Sequence, residues 1–319
     1  MNEHVDGRLV VVSVSGGKDS TAMALHLREQ GIAYEAVFCD TGWEHPDTYT
    51  YLRDVLDPAI GPIRWLRSPE GGMVEWIRRK VMFPSRMRRW CTERLKVLPI
   101  REYPIRRIEE TGGTVVNAVG IRRLESAARA QLPEWERWAA DQRGGIDCMI
   151  WRPLIGWTEE QVIEIHRRHG IAPNPLYLRG ANRVGCWPCI HARKAEIALV
   201  ARDDPERIDM IRALEIEMTA GARARSTARA EKPWPEKIAG DEELEDLERE
   251  LRDPASPRHE RCYFQGPARN GVMSIDDVVA WAQTDRGGRQ MPMFDLLDNA
   301  ATDGCMRWGM CETDDGGDV

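Results

Sequence analysis

The chain lacks several features that would fix its class at once. No stretch of its 319 residues approaches the ~18 consecutive apolar residues that cross a bilayer, so no transmembrane helix is expected. The opening run Met1-Asn2-Glu3-His4-Val5-Asp6 has neither the positive flank nor the apolar stretch of a secretory signal, which predicts a cytoplasmic protein. No internal repeat and no long low-complexity tract is visible. Histidines are few, and none marks a catalytic base: His45 follows Asp40 closely, His166 and His169 fall on a predicted helix, and His191 follows a cysteine pair. What remains is a globular composition, 42% hydrophobic and 30% charged, that can build a core without disulfides. The eight cysteines are then expected in a reducing compartment, where close pairs point to metal binding or redox chemistry.

Charge is unevenly spread. The net charge is −7, yet Trp76–Arg107 carries eleven Lys or Arg against Glu93 and Glu102 alone, while Asp241–Glu250 is acidic. A local basic block on an acidic chain suits a polyanionic substrate better than general coating of DNA. The twelve tryptophans are expected mostly as packing residues.

Strand-like and helix-like runs alternate through the first half. Leu9–Val14 is a continuous β-branched run of the kind buried in a parallel sheet, and Thr21–Glu29 has helical apolar spacing. Glu35–Cys39, Ile63–Leu66, Thr114–Val119 and Met149–Trp151 read as further strands. Pro46 opens a helix through Leu56, and Thr158 caps one running to about His169. The pattern predicts an α/β fold, an open and mostly parallel sheet flanked by helices. Glu196–Ala220 and Asp241–Arg252 read as charged helices. The expected domains are therefore 1–195, catalytic, and 196–319, a mainly helical extension with a cysteine-containing tail.

Between the first strand and the first helix lies Ser15-Gly16-Gly17-Lys18-Asp19-Ser20. Two glycines let backbone N–H groups converge on an anion, and the following helix aims its positive end at the same place. Lys18 adds a charge, and the hydroxyls of Ser15 and Ser20 add donors. The spacing is not that of a Walker A loop. The hexapeptide predicts a phosphate cradle.

This loop resembles the signature of the N-type ATP pyrophosphatases, within the adenine nucleotide alpha hydrolase-like superfamily. The segment Asp40-Thr41-Gly42-Trp43-Glu44-His45-Pro46-Asp47-Thr48 narrows the likeness to the phosphoadenosine phosphosulfate (PAPS) reductase family. Cys91–Pro99, Gly120–Ser126 and Asn174–Tyr177 leading into Gly185–Cys189 fit the same family, in its order, over roughly 8–195. The resemblance implies ATP bound with Mg²⁺ by Ser15–Ser20 and by Asp40, Thr41 and Gly42, with Asp19 or Asp40 holding the metal. Arg94, Lys96, Arg122 and Arg123 are candidates for clamping phosphate or sulfate oxygens. In character the chain is similar to the iron–sulfur members that act in DNA phosphorothioation. That reading implies a cysteine desulfurase-like sulfur donor and a nucleic-acid or small-molecule acceptor, and it is compatible with a homodimer.

Cys186-X-X-Cys189 lets two thiols reach one metal. The resemblance favours Cys91 as a third ligand, although Trp90 stands where iron–sulfur members carry another cysteine. Cys262 is the expected fourth ligand, with Cys305 or Cys311 able to replace it. A [4Fe–4S] cluster is the expected group and Zn²⁺ the alternative. Cys39 and Cys148, in or beside strands, are expected as buried small hydrophobes.

Three reactions follow from the likeness. One is ATP pyrophosphatase activity that adenylates a substrate and supports sulfur transfer. A second is sulfonucleotide reduction with release of sulfite. A third is nucleotide binding without turnover, in a subunit of a larger assembly. The intact loop favours the first, since it supplies a place for the β and γ phosphates. The reductases end in a Glu-Cys-Gly-(Leu/Ile)-His segment, whereas this chain has Gly309-Met310-Cys311-Glu312-Thr313.

Overall fold

A computed structural model describes residues 5–138, 148–232, 242–264 and 273–284. Cys305 and Cys311 lie outside the described residues. The described residues form two compact units: one of residues 5–72, 92–138 and 148–187, the other of 73–91, 188–232, 242–264 and 273–284. Among the described residues no helix is long and apolar enough to cross a membrane.

Among the described residues the first unit is built on six strands: β1 (Leu9–Ser13), β2 (Tyr34–Cys39), β3 (Ile63–Leu66), β4 (Val115–Ala118), β5 (Trp135–Arg137) and β6 (Cys148–Trp151). Their order is β3-β2-β1-β4-β6-β5, all parallel except β5, which pairs antiparallel with β6 at the edge. β1 is central because its Val10, Val11 and Val12 are buried on both faces, as a strand covered by helices requires. Alternation sends Val10 and Val12 to one side, where Met23, Leu25 and Leu27 of the helix Lys18–Glu29 and Val162 and Ile165 of Glu159–Arg168 pack. Val11, Val37 and Val115 face the other side, against Tyr103 of the helix Leu98–Thr111. Two helical layers therefore sandwich the sheet, the α/β fold expected.

The chain order places a topological switch beside β1. From β1 the chain moves outward to β2 and β3, then returns to place β4 on the opposite side. The loops after β1 and β4 thus leave the sheet in opposite directions at its carboxyl edge, where open α/β sheets take their ligands. Helix Glu159–Arg168 starts with a reciprocal cap: Thr158 accepts from the Gln161 amide at 3.3 Å, and Gln161 from the Thr158 amide at 2.8 Å.

In the second unit the extended helix expected over 196–220 is two helices, Lys194–Asp203 and Pro205–Ala230. Pro205 has no N–H to continue the first, and Asp204 caps the second by accepting from the Arg207 amide at 3.0 Å. Glu215 is buried on the longer helix and accepts from the amides of Tyr263 and Ile275 at 2.8 and 2.9 Å. One carboxylate so ties two distant segments to a helix. Tyr263 also donates to the Pro188 carbonyl at 2.6 Å and stands edge-on to Phe83.

Candidate phosphate-binding site

The loop Ser15–Ser20 follows β1 directly and runs into the helix Lys18–Glu29. Gly16 turns the chain at φ +73°, a left-handed conformation that strains any residue with a Cβ. Gly17 stands at the N-cap in an extended conformation, and no side chain caps the helix. Apart from the Lys18 amide, which a tyrosine hydroxyl takes, the first turn therefore keeps its positive end for a ligand rather than spending it on an Asp or Ser oxygen. The two serines brace the turn: the Ser15 amide donates to Ser20 Oγ at 3.1 Å, and Ser20 Oγ donates to the Gly17 carbonyl at 3.0 Å.

Lys18 is buried, its ammonium 3.3 Å from Glu159 at the start of the facing helix and 3.9 Å from Asp19. Its backbone is held as firmly. The Lys18 amide donates to the Tyr177 hydroxyl at 3.1 Å, and His166 Nε2 lies 2.9 Å from the Lys18 carbonyl. A carbonyl only accepts, so His166 carries its proton on Nε2. Burial lowers the His166 pKa, which keeps that ring neutral. Burial likewise raises the Tyr177 hydroxyl, so it stays a neutral acceptor for the amide.

Asp19 is paired across the switch point with the buried Arg122, Nε to Oδ1 at 2.5 Å. Arg122 follows β4, and its own amide donates to Glu125 at 2.8 Å. The loops after β1 and β4 are thus joined by one carboxylate–guanidinium bond, and Gly120 lets their backbones touch. Arg123 is different. Its amide donates to the Ile155 carbonyl at 2.9 Å, but its side chain is exposed.

A second polar group forms after β2. Asp40 accepts from the Gly42 amide and the Tyr49 hydroxyl, both at 2.9 Å, and pairs with Arg67 at 2.7 Å. Glu44 is buried and accepts from Thr41 Oγ1 at 2.6 Å and from Tyr49 at 3.1 Å. Tyr49 bridges the two carboxylates, and burial with Glu44 beside it pushes its hydroxyl upward in pKa. Arg94 is placed beside Glu93, at 3.9 Å, and Lys96 accepts the Cys39 thiol through its carbonyl at 3.6 Å. The loop's contacts run instead to Glu159, Arg122, His166 and Tyr177. Of these, Glu159 and His166 carried no signal beyond helix position, whereas Tyr177 lies in the Asn174–Tyr177 block.

The cysteines divide by environment. Cys39 and Cys148 are buried, and burial pushes the Cys39 thiol up to about 12. Cys186 pairs through an isolated bridge with Glu44, beside Asp40–His45, and the Trp187 amide donates to the Trp43 carbonyl at 2.8 Å. Cys189 Sγ accepts from the His191 amide at 3.5 Å. Cys262 is half-buried, and burial pushes its thiol up to about 12. Among the described residues no three His, Cys, Asp or Glu side chains are grouped to hold a metal ion, so no step below runs through a cluster or zinc. Mg²⁺ asks for less, since one or two carboxylates suffice beside substrate phosphates. The oxygens of Asp19 and Asp40 are of the right kind.

Comparison with known proteins shows the family. The family model for the phosphoadenosine phosphosulfate reductase domain matches residues 9–192. The chain is 30% identical to an uncharacterized 37.8 kDa protein in the gpa 5′ region of Escherichia phage 186, over 95% of this chain and 96% of that one. It is also 30% identical to the adenosine 5′-phosphosulfate reductase of Deinococcus radiodurans, over 52% of this chain and 60% of the reductase. A crystal structure of PAPS reductase from Candida auris in a phosphate complex aligns with TM-score 0.42 and 20% identity, over 56% of this chain and 82% of that one. The chain belongs to the phosphoadenosine phosphosulfate reductase domain family.

Proposed function

We propose that the chain is an ATP pyrophosphatase of this family, which transfers an adenylyl group to an acceptor and supports sulfur transfer. One observation carries the reading: an intact Ser-Gly-Gly-Lys-Asp-Ser loop whose helix starts on a glycine N-cap with no capping side chain of its own and whose lysine is buried beside it. A nucleophile on the acceptor attacks the α phosphorus, and the bond to the oxygen bridging to the β phosphate breaks. That oxygen takes the electron pair as pyrophosphate leaves, and the acceptor's proton goes to solvent. The other amides of the first helical turn and the Lys18 ammonium stabilise the charge growing on pyrophosphate, since they stand at the positive end of the helix. Glu159 keeps the ammonium in place before the nucleotide arrives. The Asp19–Arg122 pair holds the loop and the β4 segment at one spacing. Mg²⁺ on Asp19 or Asp40 would offset phosphate charge when bound. A [4Fe–4S] cluster or Zn²⁺ on Cys91, Cys186, Cys189 and Cys262 is part of the proposal only as a ligand set, supported by the Cys-X-X-Cys spacing and the amide on Cys189.

The second reading is a sulfonucleotide reductase, favoured by relatives named as adenosine 5′-phosphosulfate reductases. It would use a cysteine thiolate to attack sulfur, and Cys311, the candidate for that role, lies outside the described residues. The two readings part at Lys18. Under the first, Lys18→Ala abolishes pyrophosphate release from ATP while circular dichroism stays that of the wild type. Normal release by that variant would remove the loop from the reaction.

A further inference from the structure

The second unit holds a cationic cavity that the reaction above does not use. It encloses about 580 Å³ and is lined by Lys80, Arg225, Arg229, Lys232, Arg252 and Arg261, against Glu248 alone among the lining carboxylates. Glu248 is spoken for: it bonds Arg229 and Arg252, and the hydrogen bond from Arg229 first, then that from Arg252, holds its carboxyl down at about 2. Among the described residues no carboxylate pairs with Arg225 or Arg261. Arg225 donates to the carbonyls of Lys80 and Arg79, at 3.1 and 3.4 Å, and Arg261 to those of Val81 and Arg258, at 3.3 and 2.8 Å. Carbonyl dipoles orient these groups without cancelling their charge.

Two further observations point into the same cavity. His259 lines it at 4% exposure, and its Nε2 is buried with no hydrogen-bond partner among the described residues. A buried polar nitrogen left alone costs free energy that a ligand oxygen or a proton acceptor would recover. Val81, also in the lining, is held at φ +53°, a conformation a β-branched residue rarely takes. Its carbonyl is the one that fixes Arg261.

We infer that this cavity binds the phosphate backbone of a nucleic-acid strand. The cations are distributed rather than convergent. Arg225 and Arg229 stand one helical turn apart on Pro205–Ala230, and Lys232 follows at its end. The exposed Arg88 extends the row, since it reaches Met82 of the lining at 3.5 Å. A row of charges matches successive phosphodiesters, whereas a free phosphate needs one convergent cluster. The site stands on its own residues and holds whichever reaction runs at Ser15–Ser20.

The test is fluorescence anisotropy of the full chain with a labelled single-stranded oligonucleotide across a salt series. Each phosphate contact adds about 0.7 to the steepness of log affinity against log salt for a single strand. Lys80→Gln with Lys232→Gln removes two cations, of which only Lys80 has a described partner, the Trp76 ring 5.3 Å away, so the slope should fall by about 1.4 and the affinity at low salt by about tenfold or more. Lys80→Arg with Lys232→Arg should restore both. Lys18→Ala should leave strand binding unchanged, which separates this site from the nucleotide loop. The inference is overturned if the wild type does not bind the strand at low salt, or if the double Gln variant with a wild-type melting temperature binds it as before. Displacement of the strand by inorganic phosphate or pyrophosphate at equal phosphate concentration would also overturn it, in favour of a free-phosphate site.

Discussion

Gly120 offers the sharpest single-atom perturbation of the proposed site. It follows β4 at the switch point, and a Cβ there would stand 2.9 Å from the Asp19 carbonyl oxygen and 3.0 Å from Ser20 Cα. Both are backbone atoms of the phosphate loop, so no side-chain rotation relieves the overlap. Ordinary contact requires the two loops to separate by roughly 0.5 Å, and overpacking of this kind costs about 1–3 kcal/mol. At about 2–4 °C per kcal/mol for a domain of this size, Gly120→Ala should melt roughly 2–12 °C below the wild type. The functional loss should be the larger effect. A 1 Å misplacement can cost about a hundredfold in rate, so a shift of half that should lower kcat/KM for pyrophosphate release about tenfold. Gly156→Ala is the control, because its Cβ would meet nothing within 4 Å. Differential scanning calorimetry and a coupled pyrophosphate assay on both variants decide the matter. A Gly120→Ala protein with wild-type melting and wild-type turnover would refute the close approach of the two loops.

Three other outcomes are expected. Tyr177→Phe keeps the ring but removes the acceptor of the Lys18 amide, which should cost about 1–3 kcal/mol in denaturant unfolding because the donor is buried. Glu29 is held down at about 2 by its hydrogen bond to Arg168 and then by that to His169, against an ordinary value of 4.5. A depressed carboxyl contributes stability above its unfolded pKa and loses it as pH falls through the folded one. The stability difference between the wild type and Glu29→Gln should therefore be flat above about pH 5 and shrink toward pH 2, as acid titration by circular dichroism would show. Anaerobic purification followed by iron and sulfide analysis tests the cysteine set. About four irons per chain, lost in Cys189→Ser, would support it, and a metal-free wild type would leave these residues as half-buried thiols.

Much of the first unit was legible because its signals are local. The valine run of β1, the glycine loop and the Thr158 cap each state their structure within a few residues, and all lie where their periodicity put them. The antiparallel β5 was not legible: Trp135–Arg137 is three residues long and is made a strand by pairing with β6. Nor was the helix Leu98–Thr111, whose Pro104 argues against helix and whose place is fixed by Tyr103 and Arg107 reaching Glu35 on β2. Residues 73–91 join the unit of 188–288 through non-local contacts such as Arg78 with Glu217, which no window of sequence contains. In the site, composition announced Lys18 and Asp19 but not their partners. Glu159 reads as an ordinary first-turn acid, and Arg122 reads as a phosphate clamp although its guanidinium is taken by Asp19. Such pairings are set by the order of strands in the sheet.

The central claim is that Ser15–Ser20 serves ATP cleavage between the α and β phosphates. The most direct measurement gives the purified full chain ATP with Mg²⁺ in one reaction and PAPS or its unphosphorylated analogue with a thiol in another, and follows pyrophosphate and sulfite in both. The account predicts pyrophosphate from ATP, with water standing in as the acceptor, and no sulfite from either sulfonucleotide. Sulfite release without any pyrophosphate from ATP would contradict it and assign the chain to sulfonucleotide reduction.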